Sequence, residues 1–182
     1  KAMERWPMKA FTHYVAAEDD GSWFNSTDGI DFFKVAEQAG LIASIAMSPH
    51  HQPELRKVAE RHPDLDILCH HMSGLRAHGN DARANLKVVT ESSELPNIFL
   101  KLSGFHYLTN TEWNFPYSDT HWVYKACYEA FGTNMCWGSL PNKGRHPQYA
   151  SDPIAMNKND SALEVASTLP LRAGTGSNCI ND

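Results

Sequence analysis

Nothing in these 182 residues is built to grip a phosphate backbone: sixteen Lys and Arg stand against twenty-one Asp and Glu, the formal net charge is −5, and no basic run interleaves with aromatics. Nucleic acid is therefore excluded as a partner. No apolar stretch approaches the roughly 18 residues of a membrane span, and the opening residues, KAMERWPMKAF, carry no signal-peptide core. Membrane partners are set aside with nucleic acid. The four cysteines, at 69, 127, 136 and 179, form no CxxC pair; in a chain of this size that spacing predicts buried reduced thiols rather than a disulfide framework, and with it a cytoplasmic protein. Asn25-Ser26-Thr27 and Asn159-Asp160-Ser161 match the glycosylation pattern only by chance if no secretory signal is present. Neither GxGxxG nor GxxxxGK[ST] occurs, so no motif supports nucleotide binding.

What the chain does have is a repeated phrase. The stretch 62–74, HPDLDILCHHMSG, has an echo at 96–104, PNIFLKLSG: a Pro or Asn at the end of a helix, a short apolar run, then Ser-Gly where the chain turns. Apolar runs of four to eight residues bounded by turn signals mark strands buried on both faces, the strands of a parallel sheet. The first run ends in His70 and His71, and the carboxyl ends of such strands are where α/β folds place their chemistry.

Strand and helix alternate along the rest. A strand over 9–15 (KAFTHYV) leads into a long acidic loop, and a helix over 30–39 follows, with Asp28 as N-cap, Ile30, Phe33, Val35 and Ala36 as its apolar stripe and Gly40 as its stop. The strand at 41–47 (LIASIAM) ends in Ser48, Pro49, His50 and His51. Pro53 opens a helix whose inner face is Leu55, Val58 and Ala59. A helix over 80–95 turns Ala82, Leu86 and Val89 inward, Ser118 caps a helix running to Phe131, and a last short strand covers 135–137. Five strands, each about one βα unit after the last, predict a parallel sheet; a barrel with functional groups spread over several strand ends suits them better than an open nucleotide-binding sheet. Beyond Ser139 the pattern dissolves into PNKGRHPQYASDP, with one short helix expected over 161–168.

Three phrases, in order, resemble the amidohydrolase-related branch of the amidohydrolase superfamily: HHQPELRKVAERHPDLDILCHHMSG, LPNIFLKLSG and EAFGTNMCWGS. That branch holds lactone hydrolases of the fuconolactonase and pyrone-dicarboxylate lactonase kinds, together with aminocarboxymuconate-semialdehyde decarboxylase-like proteins. The resemblance implies an α/β fold, a (β/α)8 barrel of the metal-dependent hydrolase type of which this chain supplies about strands four to eight. Residues 1–145 would form the partial barrel and 146–182 a divergent segment. A whole barrel of this kind takes about 250 residues.

Carried over position by position, His71 matches the histidine of the family's "DHLG" phrase and His70 stands where Asp is common. His50 or His51 falls where metal-binding members place another ligand. Gly138 and Ser139 match "GSDYP", but Leu140 occupies the place of its acid, Asp152 is the next acid along, and the HxH of the family's first strand is absent. The resemblance thus implies catalytic His71 and His70, a divalent metal, zinc by its ligand chemistry, on His71 with His50 and His51, or no metal at all, and substrate contacts from His106, Lys101 and Ser139. Because adjacent strand residues point to opposite sides, one of the two histidines faces the barrel centre, and His71 is the choice. Lys101 alternates with apolar neighbours and requires a partner or an aqueous lumen.

The expected activity is hydrolysis of a small lactone or cyclic carboxylic ester. The alternatives are a metal-dependent non-oxidative decarboxylase of the same barrel, and a truncated, non-catalytic barrel that binds a partner. A five-strand arc leaves two edges and an inner face to be covered, by a second copy of the chain in a homo-oligomer or by further residues.

Overall fold

The computed structural model describes residues 8–111 and 115–138. Five strands, β1 (Ala10–Tyr14), β2 (Ile42–Ala46), β3 (Ile67–Cys69), β4 (Ile98–Leu102) and β5 (Met135–Trp137), form one sheet in the order β1-β2-β3-β4-β5, every pair parallel. Strand order that never reverses has a physical consequence. Right-handed crossovers that all step in one direction put every helix on the same face. The connecting helices α1 (Thr27–Gln38), α2 (Gln52–Arg61), α3 (Ala82–Thr90) and α5 (His121–Phe131) accordingly share one apolar core with Ala43, Ile45, Ile67, Cys69, Ile98, Leu100 and Leu102. A short helix, α4 (Phe105–Leu108), follows β4.

Among the described residues the other face carries no connecting helix. Strand register puts Thr12 with Ser44, Ser44 with Leu68, Leu68 with Phe99 and Lys101 with Cys136, so these side chains line the concave side. Tyr14, paired with Ala46 on that side, is 71% exposed.

The helix boundaries show where local signals misled. Ser26, not Asp28, caps α1: its Oγ accepts from the Gly29 N–H at 3.2 Å. Phe33 and Ala36 are buried as expected, but Val35 is exposed. Ser118 opens a separate 3-10 turn (Ser118–Thr120) before α5 and makes no side-chain cap; Thr120 holds the junction, its Oγ1 donating to Tyr117 O and accepting from Tyr124 Oη. The expected 80–95 helix is α3 followed by a tighter 3-10 turn, Glu91–Glu94. Its inner residues, Ala82, Leu86 and Val89, are buried as their spacing predicted. Residues expected in a helix over 161–168 lie outside the described residues, as do Trp113, Ser139, Leu140 and Asp152. Cys69 and Cys127 are buried free thiols. Among the described residues no helix is long and apolar enough to cross a membrane.

Candidate active site

The carboxyl ends of β2, β3 and β4 gather polar side chains that the helix side has no place for. His70 follows Cys69, so strand alternation carries it to the concave face, where its Nε2 meets Ser44 Oγ. Only 2% of His70 is exposed, and its ring lies 6.4 Å from that of Tyr14.

The expectation that His71 would be the centre-facing member of the pair is corrected by the backbone. Strand alternation ends at His70. His71, Met72 and Ser73 have φ of 46°, 50° and 55°, and Gly74 follows at 67°, a full left-handed turn. Non-glycine residues pay about 1–2 kcal/mol each for that conformation, so this turn stores about 3–6 kcal/mol against the rest of the fold. Its effect is to swing His71 sideways, where Nδ1 shares a 2.8 Å hydrogen bond with Ser103 Oγ at the end of β4. Both histidines therefore reach the same rim, with ring centroids 5.4 Å apart. Gly104, with φ of 69°, allows the close approach: a Cβ there would lie 3.1 Å from His71 Nδ1.

Among the described residues Lys101 is the one lysine sunk in a strand, 3% exposed and on the concave face beside the apolar Phe99. Its stem runs over Gly138, where a Cβ would collide with it. His106, on α4, is half-buried with its ring 4.0 Å from Tyr107. Ser139 belongs to the residues outside the description.

His50 and His51 go elsewhere. Nε2–H of each donates to the same carbonyl, Asp19 O, at 3.1 and 2.6 Å, and their rings lie 3.9 Å apart. His51 is wholly buried and its Nδ1 accepts the Ser48 N–H at 3.1 Å, so both its nitrogens are committed to holding the turn after β2. A histidine so engaged has no lone pair for a metal. The expected set of His71, His50 and His51 does not converge, and among the described residues no three metal-binding side chains come together.

Three polar residues of this region went unremarked in the sequence. Ser44 is signalled by its place inside LIASIAM, a hydroxyl in an otherwise apolar strand. Ser103 reads only as a turn former. Gln52, fully buried, gives no local signal at all; it donates from Nε2 to Ser73 Oγ at 2.7 Å and accepts from Ser92 Oγ at 2.7 Å. Cys69 beside them is no nucleophile, because burial pushes its thiol up to about 11 against weaker opposing hydrogen bonds from Gln52 and Ser73.

A sheet of unreversed order with its chemistry at the strand ends is the geometry of a barrel arc, and sequence comparison agrees: the amidohydrolase family model matches residues 4–139. The chain belongs to the amidohydrolase family. This amidohydrolase arc resembles a solved Burkholderia multivorans amidohydrolase with bound zinc, at 19% identity and a TM-score of 0.67, over 91% of this chain and 58% of that one. It also resembles a Pseudomonas putida protein described as a 2-pyrone-4,6-dicarboxylic acid hydrolase (16% identity, TM-score 0.61, 83% of this chain and 54% of that one) and an Acinetobacter baumannii protein of the same description, with citric acid bound (15%, 0.61, 82% and 54%). No curated protein matches the chain. The chain spans between half and three-fifths of these structures' length, and its fold is a partial (β/α)8 barrel.

Against a resident zinc, the donors described here do not fit: His51 has both ring nitrogens committed, His50 is turned to Asp19 beside it, and His71 is joined by no second and third donor among the described residues. No step below is routed through a metal.

Proposed function

We propose that the rim formed by His70, His71, Ser103 and Lys101 is the working end of a hydrolase for small lactones or cyclic carboxylic esters that carry negative charge. The observation that carries this reading is Lys101, a cation 3% exposed on the concave face of a sheet whose strand ends bear two histidines. A lysine is rarely retained in so dry a place without a role.

The chemistry follows from the side chains. Attack of water on a lactone carbonyl builds negative charge on oxygen, and a buried ammonium stabilises that charge, or a neighbouring substrate carboxylate, far better than an exposed one. The water must also lose a proton and the ring oxygen must gain one. With Nδ1 of His71 held by Ser103, proton traffic falls to Nε2, which takes the proton from water and returns it to the departing ring oxygen. Ser44 and His70 supply the polar floor beside them. The products are the ring-opened hydroxy acid, or its keto tautomer when the ring oxygen leaves as an enol, so atoms and charge balance without a co-substrate. The neighbours' description fits the same class, since a 2-pyrone dicarboxylate is a charged cyclic ester.

The test is ring opening of a panel of charged and neutral lactones, 2-pyrone-4,6-dicarboxylate among them, by the full chain with and without added zinc. His71→Asn, which keeps a residue tolerant of the left-handed conformation, is expected to lower kcat by about 10²–10⁴-fold. Lys101→Met is expected to lower kcat/KM by about 10²–10³-fold, more for charged than for neutral substrates. Ring opening that neither variant alters, or none by the parent in either condition, would refute the proposal.

A further inference from the structure

The left-handed turn at 71–74 places three non-glycine residues in a conformation they avoid, and something must hold it. The candidates are few. Met72 is fully buried, and the Leu75 N–H closes the turn on Met72 O at 3.2 Å. Gly74 lies where a Cβ would stand 3.1 Å from Met47 O, so the turn is pressed against the end of β2. The polar anchor is Ser73, fully buried, whose Oγ accepts from Gln52 Nε2. Gln52 is itself fixed at its other end: Ser92 Oγ donates to its Oε1, and Arg56 Nη1 reaches both Ser92 Oγ at 3.3 Å and Val88 O at 2.9 Å. One buried amide thus ties the start of α2, the turn after β3 and the 3-10 turn that follows α3 together.

We infer that Gln52 is a positioning residue: through Ser73 it holds the left-handed turn that brings His71 Nδ1 to Ser103. The inference rests on the reading of His71 as a working residue only for its consequence in catalysis; the lock itself is readable without a substrate. Gln52 touches neither histidine, and its amide is replaceable in shape by leucine. Loss of the amide takes the strong donor from the Ser73 hydroxyl, leaves it the weaker Cys69 thiol, and so weakens the polar hold on the backbone. Glycine at 73 meets no such cost. A glycine there should therefore offset the loss of the lock at the residue the lock holds, which a packing role for Gln52 would not allow.

The experiment is ring-nitrogen NMR of His71 in the labelled full chain, comparing the parent, Gln52→Leu and Gln52→Leu with Ser73→Gly. In the parent, His71 shows a single tautomer with Nδ1 in its hydrogen bond. In Gln52→Leu that bond is lost and the two tautomers average, while far-UV circular dichroism is unchanged. Adding Ser73→Gly restores the single tautomer. If Gln52→Leu fails to fold, recovery of the folded state on adding Ser73→Gly supports the lock equally well. An unchanged His71 signal in Gln52→Leu, or no recovery by glycine in either case, overturns the inference. Activity enters separately: a His71→Asn variant as active as the parent would overturn the proposed function and leave the lock standing.

Discussion

Asn97 offers a quantitative test of how the arc is assembled. Its side-chain amide, at the mouth of β4 and 6% exposed, donates to Ala59 O, His62 O and Leu65 O at 3.1, 3.0 and 3.1 Å. These are the carbonyls left over where α2 ends and the chain turns into β3, groups that any helix must satisfy from outside its own hydrogen-bond ladder. Asn97→Ala removes both N–H donors and leaves buried acceptors behind. At about 1–1.5 kcal/mol for each hydrogen bond lost, the cost is about 2–3 kcal/mol, or a fall in Tm of roughly 4–12 °C for a chain of this length. Asn97→Asp should cost at least as much, because it replaces donors with oxygens that face three carbonyls. Urea unfolding followed by tryptophan fluorescence and circular dichroism reads the change as a lower midpoint at constant slope. A loss under about 0.5 kcal/mol for the alanine variant, or an aspartate variant as stable as the parent, would refute the view that this amide caps α2.

Two further outcomes are expected. Burial pushes the Asp119 carboxyl up, but hydrogen bonds from His78 Nε2 at 2.5 Å and Thr109 Oγ1 at 2.8 Å outweigh it and hold the group below its ordinary value of 3.8. A folded-state value below the unfolded one gives stability that is present above 3.8 and is lost as pH falls through the lower, folded value. Urea midpoints should therefore separate the parent from Asp119→Asn near neutral pH and converge in acid, and a gap that persists unchanged to acid unfolding would contradict the pairing. Gly138→Ala should place its new Cβ against the Lys101 stem, 3.0 Å from Cγ and 3.1 Å from Cδ and closer still to Cε. Displacing the ammonium should cut ring opening by roughly 10–100-fold at a stability cost of about 1–3 kcal/mol. Lys101→Ala added to it should recover the stability and none of the activity, as a double-mutant cycle would show.

The sequence was legible where one period governed. Short apolar runs between turn residues located all five strands, and the inner faces of α2 and α3 matched their spacing residue for residue. It failed where tertiary partners decide. Asp28 and Ser26 are equally plausible caps on local grounds, and only the approach of Gly29 N to Ser26 Oγ separates them. The resemblance favours His71 because it stands at the histidine of the family's phrase, whereas alternation carries His70 to the concave face and the backbone turns left-handed at His71. His50 and His51 read as ligands because they fall where metal-binding members of the family place one; that both would turn to one carbonyl 31 and 32 residues away has no signature in either segment. Gln52, whose partners are distant in sequence, was invisible for the same reason.

The absence of strand reversal explains why the polar groups lie where they do. With the described connecting helices on one side, the strands fill that side with Ala43, Ile45, Ile67, Ile98 and Leu100. Hydroxyl, imidazole and ammonium groups on the same strands are confined to the opposite face, at Thr12, Ser44, His70 and Lys101. Were that face simply a second core, each of these would be a liability of about 1–3 kcal/mol unless hydrogen-bonded, and aliphatic residues would serve better. Leu68 and Phe99 share the middle row with Thr12 and Ser44, whereas His70 and Ser103 follow at the carboxyl ends of their strands and Lys101 precedes Ser103 by two residues. Imidazole, hydroxyl and ammonium groups collected at the carboxyl ends of parallel strands are what a pocket requires and what a packing surface does not, which is why the function is sought at the rim.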